Sequence, residues 1–202
     1  MGSVTDHAPV SVAVLVSGSG TLLQAILDNQ GADYAVRLVV ADKECPALDR
    51  ARRAGVNTRI VELGGDRAEW NDQLRDVVSG ASPDIVVSAG FMRIVGRSFL
   101  DRFEGRLINT HPALLPSFPG AHAVRDALAY GVKVTGTTVH FIDEGVDTGA
   151  IIAQKAVEVL DGESEEHLHE RIKQEERALV VDVLRRATIS RNDGNHGKVT
   201  FP

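Results

Sequence analysis

The chain has 202 residues, roughly the length of one domain, and its 22 Lys and Arg against 28 Asp and Glu give a formal net charge of −6. This acidic balance argues against nucleic-acid binding, which usually needs a basic surface, and no apolar run approaches the roughly 20 residues that cross a membrane. Because Cys45 is the single cysteine and the first residues lack the apolar core of a signal peptide, the sequence predicts a cytoplasmic protein without an intramolecular disulfide.

Short apolar runs alternate with helical patterns through the first half of the chain. The patterns predict strands over 10–16, 36–41, 57–63, 84–90 and 106–111, and helices over 21–30, 46–54 and 67–79. The apolar runs do not alternate with polar residues, which is typical of a parallel sheet covered by helices on both faces.

The later segments predict a different edge to this sheet. Residues 134–142 and 150–159 are two strands joined by a loop too short for a helical crossover, so we expect them to pair antiparallel. Residues 164–187 predict a long terminal helix, and residues 1–10 and 188–202 are expected to be loose tails. The predicted fold class is α/β: a doubly wound, mostly parallel sheet with an antiparallel edge, in one domain over 1–202. Ligands of such sheets bind at the carboxyl ends of the strands.

A glycine-rich segment lies between the first predicted strand and the first predicted helix. Glycines allow backbone amides to approach an anion, and a helix N-terminus adds free N–H groups. The dinucleotide-binding fingerprint fails because its third glycine position is Leu23, although Asp42 lies at a plausible spacing for it. The segment therefore favours a monophosphate over NAD, with an ordinary turn as the alternative; its residues are Ser17, Gly18, Ser19, Gly20 and Thr21.

Asn109 and His111 end the fifth predicted strand. Histidine is the natural acid–base group near neutral pH, and an asparagine amide can donate to an oxyanion. Their spacing of two residues puts both side chains on one side of a strand. They are therefore candidate catalytic residues, unless the histidine merely caps the strand end. In the proline-rich loop that follows, we expect the Leu115–Pro116 bond to be cis.

Three further segments are candidates for binding. A carboxylate in the loop 143–149 could orient His111, although Asp and Gly are also ordinary turn residues, and its pattern is too short for a typical oxygen-ligand metal loop. Glu176 falls on the apolar stripe of the terminal helix. A carboxylate there is expected either to accept a hydrogen bond from a ligand amine or hydroxyl, or to form an internal ion pair. The apolar stretch 90–94, with Arg93, either holds a flat ring or starts a helix.

Five motifs occur in order along the chain: SGSGTLLQ at 17–24, AGFMRI at 89–94, NTHPALLPSFPG at 109–120, GTTVHF at 136–141 and DTG at 147–149. In this order and spacing they resemble the phosphoribosylglycinamide formyltransferase family. The resemblance implies a Rossmann-like formyltransferase fold and transfer of a formyl group from 10-formyltetrahydrofolate to the amine of 5′-phosphoribosylglycinamide, in purine biosynthesis. It implies small-molecule substrates, no metal, no nucleic acid and no membrane, and it is compatible with a homodimer.

The resemblance also implies roles for individual residues. Asn109, His111 and Asp147 match the catalytic trio of the family. The nucleotide site is matched by Ser17, Gly18, Ser19, Gly20, Thr21, Lys173 and Glu176, and the folate site by Arg67, Met92, Arg93, Ile94, Val95, Asn109, Asp143, Glu144, Gly145, Val146 and Asp147. The chain departs from the family at Leu22, where relatives often have Asn, and at Lys173, where relatives have a neutral polar residue.

Other classes of protein remain as alternatives. A methionyl-tRNA formyltransferase shares the trio but has an additional domain and a basic surface, and this chain resembles it less because it is shorter and acidic. A formyltetrahydrofolate hydrolase has a similar catalytic half but an additional N-terminal domain, whereas only about ten residues precede the first predicted strand here. A non-catalytic sensor of a phosphorylated metabolite would explain the glycine-rich segment alone. An NAD-dependent oxidoreductase is disfavoured by Leu23.

Overall fold

The computed structural model describes residues 8–190 and 198–202. The predicted tail 1–10 lies largely outside the described residues, and its last residue, Val10, already belongs to the first strand. The strands are β1 (Val10–Val16), β2 (Tyr34–Ala41), β3 (Asn57–Ile60), β4 (Ile85–Ser88), β5 (Leu107–His111), β6 (Val134–Phe141), β7 (Ile151–Glu158), β8 (Thr188–Ser190) and β9 (Lys198–Thr200). The helices are α1 (Thr21–Asp28), α2 (Pro46–Arg53), α3 (Arg67–Gly80), α4 (Arg97–Arg102), α5 (Ala123–Tyr130) and α6 (Glu165–Arg186).

A seven-stranded sheet has the order β3-β2-β1-β4-β5-β6-β7. The strands from β3 to β5 pair in parallel, while β5–β6 and β6–β7 are antiparallel. The strand order reverses between β1 and β4, so the carboxyl ends of these two strands form the switch point at which ligands bind in such sheets. The predicted fold class is confirmed.

The apolar strands separate two cores because successive side chains point to opposite faces. Along β1, Val12, Val14 and Val16 pack with α1, α2 and α6, whereas Ala13 and Leu15 pack with α3 and α4. A strand buried on both faces reads as an uninterrupted apolar run, which is why β1, β2 and β4 were recognisable in the sequence.

Some predicted elements differ from the structure. The helices α4 and α5 were not predicted, and residues 90–94 form no helix, so the interpretation of that stretch as a helix start was wrong. The expected cis bond at Leu115–Pro116 is present.

The prediction of a loose C-terminal tail over 188–202 was wrong for the described residues 188–190 and 198–202. The strands β8 and β9 form an antiparallel pair, and Val199 is buried in the core beside α6. Phe201 contacts the ring of Phe141, with ring centroids 5.8 Å apart. The stretch shows no clear periodicity because each strand is only three residues long. Within the described part of the chain, no helix is long and apolar enough to cross a membrane.

Candidate active site

The candidate residues converge at the carboxyl edge of the parallel strands. The glycine-rich segment follows β1, the stretch 89–96 follows β4, and Asn109 and His111 end β5. The loop 142–150 joins β6 to β7 and returns to the same edge, because β6 runs antiparallel to β5. The topology therefore brings together four segments that are far apart in the sequence.

A cavity of about 290 Å³ opens between the stretch 91–95 and the loop 142–147. Leu15, Ser88 and Leu107 line it from the sheet, and Asn109 and His140 bring polar groups into it. An apolar cavity with a few convergent polar groups is typical of a small-molecule site. The remaining lining residues are Phe91, Arg93, Ile94, Val95, Ile142, Asp143, Glu144, Gly145, Val146 and Asp147.

Most of the residues predicted for folate line this cavity, but Met92 and Arg67 do not. The Met92 side chain is 77 % exposed beside it. Arg67 is the first residue of α3, whose preceding Asp66 caps the helix by accepting from two backbone N–H groups. From this position, Arg67 Nη2 donates to the carbonyl of Ile94, so Arg67 contacts the backbone of a lining residue without lining the cavity itself.

Arg93 lines the cavity, and one of its donors is engaged in an ion pair with a buried carboxylate. Its Nε donates to Asp42 Oδ2 at 2.7 Å, and the Asp42 side chain is almost fully buried at the end of β2. This ion pair gives Asp42 a structural partner. The other oxygen, Asp42 Oδ1, is buried and has no hydrogen-bond partner among the described residues.

His111 and Asp147 are in contact. Nδ1 of His111 lies 3.3 Å from Oδ2 of Asp147, and both side chains are largely buried. Nε2 of the same ring lies 2.8 Å from the carbonyl oxygen of Phe118, in the proline-rich loop. Both ring nitrogens therefore face acceptors, an arrangement that a doubly protonated ring satisfies at both ends.

Backbone geometry fixes the carboxylate of Asp147. The residue has φ 55°, in the left-handed region that Asp tolerates better than most residues. Its Oδ2 accepts from the backbone N–H of Gly120 at 2.8 Å. Asp147 thus joins the loop 143–149 to the proline-rich loop and holds both against His111.

His140 is a member of the site that sequence analysis missed. Its Nδ1 lies 2.8 Å from the carbonyl of Phe141, so Nδ1 donates and the neutral ring keeps Nε2 as an acceptor. Nε2 lies 3.4 Å from Nδ2 of Asn109, the residue paired with His140 across β5 and β6. Burial lowers the pKa of His140, which favours this neutral form.

The glycine-rich segment forms a tight turn into α1. Gly20 precedes the helix with φ 72°, and no side chain caps the first N–H groups. Ser17 is buried, and its hydroxyl accepts from the backbone N–H of Met92 at 2.9 Å, which joins this turn to the cavity wall. Ser19 and Thr21 are exposed, whereas Leu22 is buried in the core and cannot supply the polar contact that an asparagine would.

Glu176 lies on the α6 side of the sheet, behind the end of β5. Burial raises its pKa, while a hydrogen bond with the Thr110 side chain and the charge of Lys173 oppose that shift. Arg177 also attracts this carboxylate, but Lys173 and Arg177 form their direct ion pairs with Glu170, and none of the described residues forms one with Glu176. Ionising a partly buried carboxylate is costly when few hydrogen bonds reach it, and a ligand that donates to Glu176 would add to the single one from Thr110.

The formyl transferase family model matches residues 10–184, and the chain belongs to this family of enzymes. The matched range begins at the first residue of β1 and ends within α6, so it includes all four segments of the candidate site.

Individual relatives have more specific names. The chain is 53 % identical over 182 residues to "Phosphoribosylglycinamide formyltransferase" of Mycobacterium tuberculosis (strain CDC 1551 / Oshkosh), covering 88 % of this chain and 85 % of that protein. It is 40 % identical to the human "Trifunctional purine biosynthetic protein adenosine-3", covering 99 % of this chain and 21 % of that protein. A crystal structure of glycinamide ribonucleotide transformylase 1 from Symbiobacterium toebii is similar with a TM-score of 0.85 and 39 % identity, covering 96 % of this chain and 95 % of the other.

Proposed function

We propose that this enzyme transfers a formyl group from 10-formyltetrahydrofolate to the amine of 5′-phosphoribosylglycinamide, a step of purine biosynthesis. The observation that carries the proposal is the contact of His111 with Asp147, a residue that lines the same cavity as Asn109. The names of the relatives in Mycobacterium tuberculosis and Symbiobacterium toebii support the same nucleotide acceptor and the same transferred group.

In the proposed reaction, the glycinamide amine attacks the formyl carbon. A new C–N bond forms, and the carbonyl oxygen becomes an oxyanion in a tetrahedral intermediate. Asn109 Nδ2 and His111 Nε2 donate to that oxygen. For this, His111 Nε2 gives up its hydrogen bond to the Phe118 carbonyl and donates to the substrate oxygen instead. Losing one such donor typically lowers kcat by about 10²–10³.

Collapse of the intermediate breaks the bond between the formyl carbon and the folate nitrogen. The amine loses a proton and the folate nitrogen gains one, so the step balances without an external acid. Asp147 stabilises the protonated ring of His111 through Nδ1 and relays this proton, directly or through water. The nucleophile belongs to the substrate, so the protein forms no covalent bond and supplies mainly orientation.

The two substrates occupy neighbouring parts of the sheet edge in this proposal. The nucleotide phosphate binds at the glycine-rich segment, and Glu176 accepts from the nucleotide with Lys173 nearby. The folate lies in the cavity between the stretch 92–95 and the loop 143–147, with Arg67 at its entrance. No metal takes part. A single domain over 1–202, a homodimer and a cytoplasmic location remain predictions.

The proposal is tested by mixing the purified protein with glycinamide ribonucleotide, 10-formyltetrahydrofolate and a chelator. Deformylated folate is followed by absorbance. We expect turnover that requires both substrates and that falls by about 10²–10⁴ in His111→Ala. The matched control is His167→Ala, whose ring is 63 % exposed on α6.

Three other outcomes would contradict this proposal. Folate release without the nucleotide would indicate a hydrolase. Binding of the nucleotide without turnover would indicate a sensor of phosphorylated metabolites. Full turnover in His111→Ala would remove His111 from the mechanism.

A further inference from the structure

The helix α2 holds two consecutive carbonyls of the glycine-rich segment. The backbone N–H of Ala47 donates to the carbonyl of Gly18 at 3.1 Å. Nε of Arg50 donates to the carbonyl of Ser19 at 2.8 Å. A helix more than twenty-five residues further along the chain therefore sets the orientation of two peptide groups in this turn.

The planarity of the peptide bond converts these contacts into an orientation of N–H groups. In a trans peptide, the carbonyl of one residue and the N–H of the next point in opposite directions. The Gly18 carbonyl faces α2, so the Ser19 N–H points away from it. The Ser19 carbonyl faces Arg50, so the Gly20 N–H also points away from α2. Arg50 thereby directs a backbone donor of the turn outward.

Close packing makes this turn depend on α2. A Cβ at Gly20 would lie 2.6 Å from Cβ of Ala47 and 3.3 Å from Cδ of Arg50. Only a glycine allows this approach, and its φ of 72° also favours glycine. The stem of Arg50 therefore packs against the turn whose carbonyl its guanidinium holds.

Hydrogen bonds to neutral groups hold the guanidinium of Arg50 in place, and its positive charge is not neutralised by an ion pair with a described carboxylate. Nη1 donates to Oε1 of Gln24 at 3.0 Å, and the amide of Gln24 donates in turn to Asp28 at 2.7 Å. Across the described residues, Arg50 forms no ion pair, whereas Arg52 on the same helix pairs with both Glu44 and Asp49. An unpaired guanidinium beside a turn with outward N–H groups favours a bound anion.

We propose that Arg50 is the positioning residue of the phosphate site: it holds the Ser19 carbonyl so that the turn presents its N–H groups, and adds an unpaired positive charge behind them. This inference rests on the proposed function, since the anion is the phosphate of the nucleotide substrate. Arg50 acts through the backbone of Ser19 and Gly20 and is not itself a catalytic residue.

The test compares Arg50→Met and Arg50→Lys with Arg53→Met, an exposed arginine in the last turn of the same helix. Binding of glycinamide ribonucleotide and of the matching riboside without phosphate is measured by calorimetry on the whole protein. We expect Arg50→Met to weaken nucleotide binding about tenfold or more and to leave riboside binding unchanged. Arg50→Lys should recover part of the loss, because it restores the charge without the fixed Nε donor.

Steady-state kinetics supply the second readout. KM for the nucleotide should rise in Arg50→Met, while KM for the formyl donor and kcat at saturating nucleotide stay near those of Arg53→Met. Equal losses for nucleotide and riboside, or wild-type nucleotide binding in Arg50→Met, would overturn the inference about Arg50. Failure of the wild-type protein to bind the nucleotide would overturn the proposed function instead.

Discussion

Nε2 of His140 lies 3.4 Å from the side-chain nitrogen of Asn109, its partner across the antiparallel pair β5–β6. The neutral ring has one acceptor nitrogen, and the Phe141 carbonyl fixes which nitrogen that is. His140 therefore determines which end of the Asn109 side chain carries its N–H donors into the cavity. It is a positioning residue for the proposed oxyanion contact.

Removing this acceptor should lower kcat more than it weakens binding. The His140→Leu variant loses a hydrogen bond of about 1 kcal/mol that orients Asn109, so we expect kcat to fall about fivefold to tenfold. KM for the nucleotide should change little. The measurement is a comparison of kcat and KM with those of His140→Gln, whose side-chain oxygen can accept from Asn109. Equal damage in both variants would assign His140 a packing role only.

Asparagine at position 147 would remove the negative charge of Asp147 and keep its backbone conformation. Asparagine also tolerates the left-handed conformation at φ 55° and can still accept from Gly120, so the loop should keep its shape in Asp147→Asn. The protonated ring of His111 loses its counter-charge, and we expect kcat to fall about a hundredfold or more. Single-turnover kinetics and substrate titration separate this effect from binding, and Asp76→Asn, at an exposed position of α3, is the control. A rise in KM alone would make Asp147 a binding residue.

The partly buried carboxylate of Glu176 couples stability to pH. Burial raises its pKa above the ordinary 4.5, so the folded protein holds this proton more tightly than the unfolded chain. Ionised Glu176 therefore costs stability, and the cost is absent below the unfolded pKa and grows as the pH rises through the folded pKa. We expect Glu176→Gln to unfold at a higher temperature than the wild type at pH 7, with the difference shrinking towards pH 4.5.

The same variant should bind substrate less well. A neutral amide is a weaker acceptor for a ligand than a carboxylate, and we expect KM for the nucleotide to rise about tenfold in Glu176→Gln. Thermal unfolding over a pH series, together with steady-state kinetics, measures both effects, with Glu175→Gln as the control on the same helix. A lower melting temperature at pH 7 would show that the carboxylate stabilises the free protein.

The sequence predicted those strands and site residues whose pattern lies within a single segment of the chain. Uninterrupted apolar runs identified the central strands, and the spacing of Asn109 and His111 placed both at the end of one of them. Glu176 was recognisable because a charged residue interrupts an apolar stripe. These features depend on neighbours within about one turn or one strand.

Features that depend on strand order or register were not predictable. His140 meets Asn109 only because β6 pairs antiparallel with β5 in one register. Asp42 meets Arg93 because residues following β2 and β4 approach the same edge. The pair β8–β9 and helix α5 are short, and burial against α6 or the sheet edge stabilises them more than their own periodicity does.

The loop that holds Asp147 ends at a glycine with no room for a side chain. A Cβ at Gly149 would lie 1.8 Å from the carbonyl oxygen of Phe141, so Gly149→Ala must displace either the loop or the end of β6. Such overpacking costs about 1–3 kcal/mol, or about 2–4 °C in Tm for each kcal/mol at this chain length. The displaced loop should also weaken the contact between Asp147 and His111, so kcat should fall with Tm. Calorimetry and kinetics are compared with Gly64→Ala, where a Cβ meets no atom within 4 Å. Wild-type Tm and kcat in Gly149→Ala would show that the loop adjusts without moving the carboxylate.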